Sequence, residues 1–574
     1  MEIGYHPGRT VANNIISYLE LHRAQHPDRT ALKWAAAGGR QSFRGDVSVP
    51  LPHESIAFGP FVAASGRLAG GLAQLGIGGG DRVIIFLPMG VAMYAAMFAV
   101  QRLGAIAVFL DSWARSGQLA ASAACAAPKA MISERRAFER IEGLPEFAQM
   151  SLRIVAGEPG TTRHQARLEE LMTGACEVPV QPVESEQTAL ITFTTGSTGK
   201  PKGANRTHRF LSAQHLALRR IIPYHPGELD LPAFPIFSLN NLASGVSTLL
   251  PALDLAAPSA DDAGVLYAQI RHEGVTCATL SPSMFNGLAR FCAAASLRLG
   301  GLRRVVTGGA PVSPDDLRAF RAIAPSARIL VLYGSTEAEP MAHIEAEEMT
   351  QTASAAPSDP EIVEDGVNVG RLAEGLRCAF LRIVDGPIDG RHTPWAELQV
   401  ATGAVGELAV SGDHVCRDYY NDQEAFRRSK VVDAQGTVWH RTGDLARIDD
   451  RGCLHVVGRV NNAVCRGGVY LFPVRAEVIL RRIPAVRQAA YLGLPDPVLG
   501  QRAAAAISVG EAAADREAIE AEARRLCHKN SIPVDDVLFV DEIPMDPRHH
   551  SKVEYQLLRQ KLLARGDSAG SSAC

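Results

Sequence analysis

Ile191-Thr192-Phe193-Thr194-Thr195-Gly196-Ser197-Thr198-Gly199-Lys200-Pro201-Lys202-Gly203 is a hydroxyl- and glycine-rich loop carrying two lysines. Ala189 to Phe193 is an apolar, β-branched run that predicts a buried strand. The glycines behind it let backbone N–H groups turn toward an anion without Cβ obstruction. Hydroxyl and ammonium groups complete a phosphate cradle. A Walker A loop needs four residues between its glycines followed by Gly-Lys-Ser/Thr. Only Ser197 and Thr198 separate Gly196 from Gly199, so that reading fails on spacing.

At 574 residues the chain exceeds what one core organises, and two or three structural units are expected. Hydrophobic residues at 47% and charged residues at 21% describe an ordinary globular protein, and a net charge of -3 gives no electrostatic case for nucleic acid. The ten cysteines are scattered without a C-x-x-C pair, and the N-terminus lacks a charged region followed by an apolar one. A cytoplasmic setting is expected. His440, Cys453, His455 and Cys465, and likewise Cys527-His528, match no zinc spacing and read as core and surface residues. Val83 to Val100 is free of charge over eighteen residues, the nominal minimum for a membrane span. Pro88 and Gly90 interrupt it, so strand, turn, helix and a second strand at Ala105–Leu110 is the better reading, without a transmembrane segment.

That β-α-β unit predicts a parallel sheet with helices on both faces. Residues 11–25 read as an N-terminal surface helix, with further helices at 118–127, 166–172 and 210–220. Leu231 to Ser238 is too proline-rich for a central strand and reads as a pocket lining that includes Phe234, Phe237 and Ser238. Val275–Leu280, Arg304–Thr307 and Arg328–Leu332 read as strands. The last two run into Gly308-Gly309-Ala310-Pro311 and Tyr333-Gly334-Ser335-Thr336-Glu337, loops where ligands of open α/β sheets bind. Glu345–Asp365 reads as a surface excursion. Segments at 369–371, 406–412 and 418–421 read as an antiparallel strand region. Beyond about residue 460 lies a compact α+β unit, with a helix at 472–482, strands at 489–494 and 503–509, a helix at 516–529 and a last helix to about Arg565. A small polar tail at 566–574 is expected to be disordered.

Thr194 to Gly203 resembles the signature loop of the adenylate-forming superfamily, which includes acyl- and aryl-CoA synthetases, peptide-synthetase adenylation domains and firefly luciferase. The resemblance implies that Thr194, Thr195, Gly196, Ser197, Thr198, Gly199, Lys200 and Lys202 hold the β- and γ-phosphates of ATP. Gly308, Gly309, Ala310, Pro311, Tyr333 and Gly334 would border adenine, Thr336 would contact phosphate and Glu337 would help hold Mg²⁺. Asp444, in His440-Arg441-Thr442-Gly443-Asp444-Leu445, would bridge the ribose hydroxyls, as an acceptor-only carboxylate can. Arg459 would add a second ribose-region contact and Asn461 would be the hinge. Ser238 and Asn461 depart from the usual His and the usual Asp or Lys. Lys552 stands in the place of the catalytic lysine. Its setting, Asp546-Pro547-Arg548-His549-His550-Ser551-Lys552, resembles the ending of β-lactone synthetases and related fatty-acid ligases, as does Leu231–Phe237.

The implied fold is α/β: a large AMP-binding domain at 1–460 with mixed sheets, and a small mobile domain at 461–565. The implied reaction makes a carboxylic acid, an acyl chain in this reading, into a reactive acyl-adenylate with release of pyrophosphate. Lys552, Lys200 and Thr336 act by positioning and electrostatic stabilisation. The sequence supplies no nucleophile of its own. The acceptor is therefore a thiol of CoA or a carrier protein, the preferred reading, or a β-hydroxyl of the acyl chain closing to a β-lactone. A non-catalytic acyl-nucleotide-binding protein is the alternative from another class. Proline fixes φ near about -65° and restricts the preceding residue. Asn461→Pro is therefore expected to spare one half-reaction and stop the other, and equal loss of both would remove Asn461 as the pivot.

Overall fold

The computed structural model describes residues 8–110, 114–195, 200–254, 259, 261–354, 366–510, 515–545 and 553–570. Among these, seven strands form one sheet, in the spatial order 166–167, 152–156, 130–134, 82–86, 106–109, 188–195 and 201–207. All neighbours are parallel except the last pair, Thr188–Thr195 with Pro201–Thr207, an antiparallel hairpin. The quoted stretch is thus the strand, turn and return strand at one edge of this sheet. The uncharged run is buried strand Arg82–Phe86 followed by helix Val91–Arg102, which packs on helix Phe58–Gln74 in the largest core cluster. No helix among the described residues is long and apolar enough to cross a membrane.

A second sheet has a parallel half and an antiparallel half. Its parallel strands lie in the order Thr30–Ala35, Ser247–Leu249, Leu229–Pro232, Cys277–Leu280, Arg304–Gly308 and Arg328–Ser335. The hairpin from Arg328–Ser335 to Ala338–Glu345 reverses direction and leads through Val367–Leu372 into antiparallel strands Cys453–Arg459, Val438–Ile448, Gly406–Ser411 and Arg377–Leu381. The third sheet holds Val464–Arg466, Val469–Leu471, Val486–Asp496, Gly500–Val509 and Asp536–Phe539. Helices Pro473–Leu480 and Arg516–Lys529 pack on it through Ile479, Leu480, Ile519 and Ala523.

Several expectations are corrected. Leu229–Pro232 is an interior strand, flanked by Ser247–Leu249 and Cys277–Leu280. Its prolines do no harm by position: Pro232 ends the strand, hydrogen bonding resumes with Ala233 N–H to Thr279 O at 2.7 Å, and Pro235 opens helix Pro235–Ser244, where an N–H has no intrahelical partner. Tyr333-Gly334-Ser335 is strand rather than loop, and the turn falls at Thr336-Glu337. Part of the supposed excursion is helix Ala346–Ser354, anchored by buried Ala346 and Met349 one turn apart. Asp418–Asn421 adds one bridge, Ala204 to Tyr419, instead of a strand. At the N-terminus the α-helix spans only Ser17–Gln25, after a 3₁₀ turn at Val11–Asn13. The last helix runs through Tyr555–Gly570, five residues into the expected tail, where no proline interrupts propagation.

Gly370 lies at a register shift opposite Leu454, with φ of +85° and its N–H bonded to Asn368 Oδ1 at 2.8 Å. A Cβ there would stand 1.9 Å from His343 O. Gly370→Ala is expected to destabilise the folded chain by about 2 kcal/mol or more, because strain and a backbone clash combine. An unchanged calorimetric unfolding midpoint would contradict that account.

Candidate active site

The hairpin of Thr188–Thr195 with Pro201–Thr207 and the hairpin turning at Thr336-Glu337 belong to different sheets and touch through Thr194 and Arg206 on the first and Thr336 and Glu337 on the second. Arg206, on the return strand of the first, donates to Thr336 O at 2.7 Å. Residues 416–420 strap both together. Cys416 N–H donates to Glu337 O at 2.7 Å, Asn205 N–H to Asp418 O at 3.2 Å and Tyr420 N–H to Gly203 O at 2.8 Å. Thr194 and Glu337 are thereby brought within a hydrogen bond, Thr194 Oγ1 to Glu337 Oε1 at 3.2 Å, and the Tyr419 hydroxyl donates to the same oxygen at 3.0 Å. Burial alone would raise the Glu337 carboxyl, but His440, Lys430 and the Tyr419 hydroxyl together hold it below its ordinary value. It is an ionised carboxylate at the mouth of the loop.

Around it the charges are arranged tightly. Lys202 donates to Ser429 Oγ at 3.1 Å, with its ammonium 5.7 Å from the Tyr419 ring centroid. Lys430 lies 5.0 Å from the same centroid and donates to Cys416 O. Burial lowers both lysines and pushes His440 down to about 3, so the imidazole is neutral near pH 7. Lys200 is exposed. Gly196, Ser197, Thr198, Gly199 and Lys552 lie outside the described residues, as does the Thr195 side chain.

A second group gathers side chains from three strands of the second sheet, Arg328–Ser335, Val438–Ile448 and Cys453–Arg459. Tyr333 OH donates to Asp444 Oδ2 at 2.6 Å and Arg459 Nε reaches Asp444 Oδ1 at 3.1 Å. Burial and the Asp444 charge raise the Tyr333 hydroxyl well above its ordinary value, so it stays a donor. Asp444 and Arg459 are paired across adjacent strands, and Arg459 Nη2 also donates to Thr442 O at 2.9 Å. Each Asp444 oxygen has one partner and keeps a lone pair for a vicinal diol. Strands Arg304–Gly308 and Arg328–Ser335 approach so closely that a Cβ on Gly308 would lie 2.2 Å from Leu332 O. Gly309 follows at φ +83°, Ala310 and Pro311 continue the turn, and Ser313 caps helix Pro314–Ile323.

Phe234 borders this end: its Cζ is 3.9 Å from where a Gly309 Cβ would stand. Phe237 packs with Leu218, Val306 and Leu332, on the strands that end in Gly308 and Tyr333. Ser238 is 0% exposed, its hydroxyl directed at Tyr94 OH, and neither oxygen has a well-formed hydrogen bond. Asn461 lies in the 3₁₀ turn Val460–Asn462, directly after Arg459. Across from Gly334, the Glu339 side chain would meet a Gly334 Cβ at 3.1 Å; burial raises its carboxyl to about 7, with Arg206 opposing. His455 bonds Asp449 Oδ2 at 3.0 Å, and no group of three or more His, Cys, Asp or Glu among the described residues is arranged to hold a metal. Sequence reading missed Arg206, Cys416 and Lys430. Arg206 and Lys430 belong to polar runs that look solvated, and no spacing signal marks Cys416.

Thr194, Lys202 and Glu337 thus form one cluster, and Tyr333, Asp444 and Arg459 a second. The profile for AMP-binding enzymes matches residues 19–420, and that for the AMP-binding enzyme C-terminal domain matches residues 476–549, so the chain belongs to the AMP-binding enzyme family. Within it, the chain is 28% identical over 566 residues to the olefin beta-lactone synthetase of Xanthomonas campestris pv. campestris, covering 95% of this chain and 96% of that one. It is 24% identical over 523 residues to the long-chain-fatty-acid–CoA ligase FadD13 of Mycobacterium tuberculosis, covering 90% and 95%. The fold is shared with O-succinylbenzoate coenzyme A synthetase of Bacillus subtilis, solved with ATP and magnesium, at a TM-score of 0.73 and 20% identity over 94% of this chain and 99% of that one. The chain is an adenylate-forming enzyme, an ATP-dependent acid ligase of the AMP-forming class.

Asp444→Asn replaces one acceptor oxygen by a donor facing Arg459 or Tyr333. The KM for ATP is expected to rise roughly tenfold or more. An unchanged KM would take Asp444 out of the ribose contact.

Proposed function

We propose that this enzyme activates a fatty acid bearing a 3-hydroxyl and closes it to a β-lactone. A carboxylate oxygen attacks the α-phosphorus of ATP and releases pyrophosphate. The chain's own hydroxyl then attacks the acyl carbonyl, loses its proton and expels AMP. The observation that carries adenylation is the convergence of Thr194, Glu337, Tyr419 and Lys202 where the two sheets meet, with Asp444 bonded to Tyr333 in the second sheet. Full-length similarity to an olefin beta-lactone synthetase supports the intramolecular acceptor, and so does the shared look of the ending at Asp546–Lys552. Similarity to a fatty-acid–CoA ligase supports the second reading, transfer to the thiol of CoA or a carrier protein.

Glu337 fits Mg²⁺: it is an ionised hard oxygen donor standing alone, and Mg²⁺ is commonly held by one or two carboxylates together with substrate phosphates. Bound there, the ion would neutralise charge on the phosphates. Thr194, Lys202 and the loop position the triphosphate, Asp444 and Tyr333 orient the ribose, and Phe234 and Phe237 offer an apolar wall to the acyl chain. Lys552 approaches the α-phosphate from a small domain that turns about Asn461. Free thiols at each described cysteine suit a reducing cytoplasm.

Lys552→Ala is expected to abolish most pyrophosphate exchange while ATP binding stays near wild type, since the lysine acts in the transition state. Retained exchange would remove that role. Glu337→Gln should raise the Mg²⁺ concentration needed for half-maximal exchange, and an unchanged titration would make Glu337 structural. The acceptor is decided by mass: enzyme, ATP and a 3-hydroxy fatty acid should give the acid less one water without CoA. A product whose mass is the acyl-CoA and which vanishes without CoA would establish the second reading.

A further inference from the structure

Lys430 opens the edge strand Lys430–Val432 and is 2% exposed. Its neighbours on that strand, Val431 and Val432, and Trp439 across the pairing are apolar. An ammonium there carries a heavy desolvation cost, and a methionine would fill the same length of space without it. Packing therefore gives the charge no purpose. What surrounds it does. The ammonium donates to Cys416 O, faces the Tyr419 ring at 5.0 Å, and shares that ring with Lys202 at 5.7 Å. The ring's hydroxyl is bonded to Glu337 at 3.0 Å. The carboxylates Glu337 and Asp418 thus act on Lys430, and Glu337 and Asp422 on Lys202.

We propose that Lys430 is a positioning residue for the pyrophosphate end of the nucleotide: its buried charge, held against the Tyr419 ring, offsets the neighbouring carboxylates and so leaves the Lys202 charge available to the phosphates. It touches no substrate itself. In a low-dielectric setting a charge acts over several ångströms without solvent screening. The proposal rests on the adenylation reading above, and it separates the tail of the nucleotide, which senses Lys430, from the AMP moiety, which does not.

Equilibrium binding of inorganic pyrophosphate and of AMP, each measured by calorimetry with wild type, Lys430→Met and Lys430→Arg, tests it. Pyrophosphate binding is expected to weaken about tenfold in Lys430→Met, to recover in Lys430→Arg, and AMP binding to stay unchanged throughout. Unchanged pyrophosphate binding, or equal weakening of both ligands, overturns the proposal. Should Lys430→Met not fold, Tyr419→Leu is compared with Tyr419→Phe, which loses the same Glu337 hydrogen bond and keeps the ring; Tyr419→Leu must bind pyrophosphate more weakly than Tyr419→Phe with AMP equal in both, and equal pyrophosphate binding overturns the proposal. Failure of the wild type to bind either ligand would instead sink the adenylation reading, so the two failures are distinguishable.

Discussion

The hydrogen bonds that converge on Glu337 join two sheets that share no strand. Thr194 reaches it from the first hairpin, Tyr419 from the strap, and the strap's Cys416 N–H holds its backbone. A glycine-rich loop on an edge hairpin has little to fix its direction. Here the two strands that flank it are held by the second hairpin, the strap and Arg206. The site is therefore built from tertiary contacts between segments far apart in sequence, and its order depends on both sheets being folded.

That dependence explains why the chemistry is placed on strand ends. Parallel strands Arg304–Gly308 and Arg328–Ser335 present Gly308-Gly309 and Tyr333 at one edge, where the absence of a Cβ lets backbone approach backbone. The antiparallel extension then carries Asp444 and Arg459 to the same side. On the proposed reading the nucleotide contacts come from both halves of one sheet and from the edge hairpin of another.

Much of this was legible because strands and turns follow local rules: the β-α-β unit at 83–110, the strand that enters the glycine-rich loop and the C-terminal α+β elements were readable from periodicity and turn residues. Motif resemblance named Thr194, Lys202, Glu337, Asp444 and Arg459, and the structure brings the first three into one charged cluster and the last two into one ion pair. Illegible features share a cause. Pro232 and Pro235 argued against a strand only when counted, since their positions at a strand end and a helix start make them harmless. Met349 anchors a helix inside an acidic, small-residue stretch whose composition hides its two core contacts. Lys430 follows Arg427, Arg428 and Ser429, a run that looks solvated, and its burial arises from the fold of the strap and strand around it.

Asp444 has consequences beyond orienting a sugar. Its two oxygens are already engaged, one by Tyr333 and the other by Arg459, the residue immediately before the 3₁₀ turn that contains Asn461. On the proposed reading, whatever rotates that turn also pulls on a guanidinium whose counterion doubles as the ribose ligand. Loading of the sugar and the angle of the small domain then compete for, or cooperate through, a single carboxylate, which makes this ion pair the mechanical clutch between what is bound and how the molecule is posed.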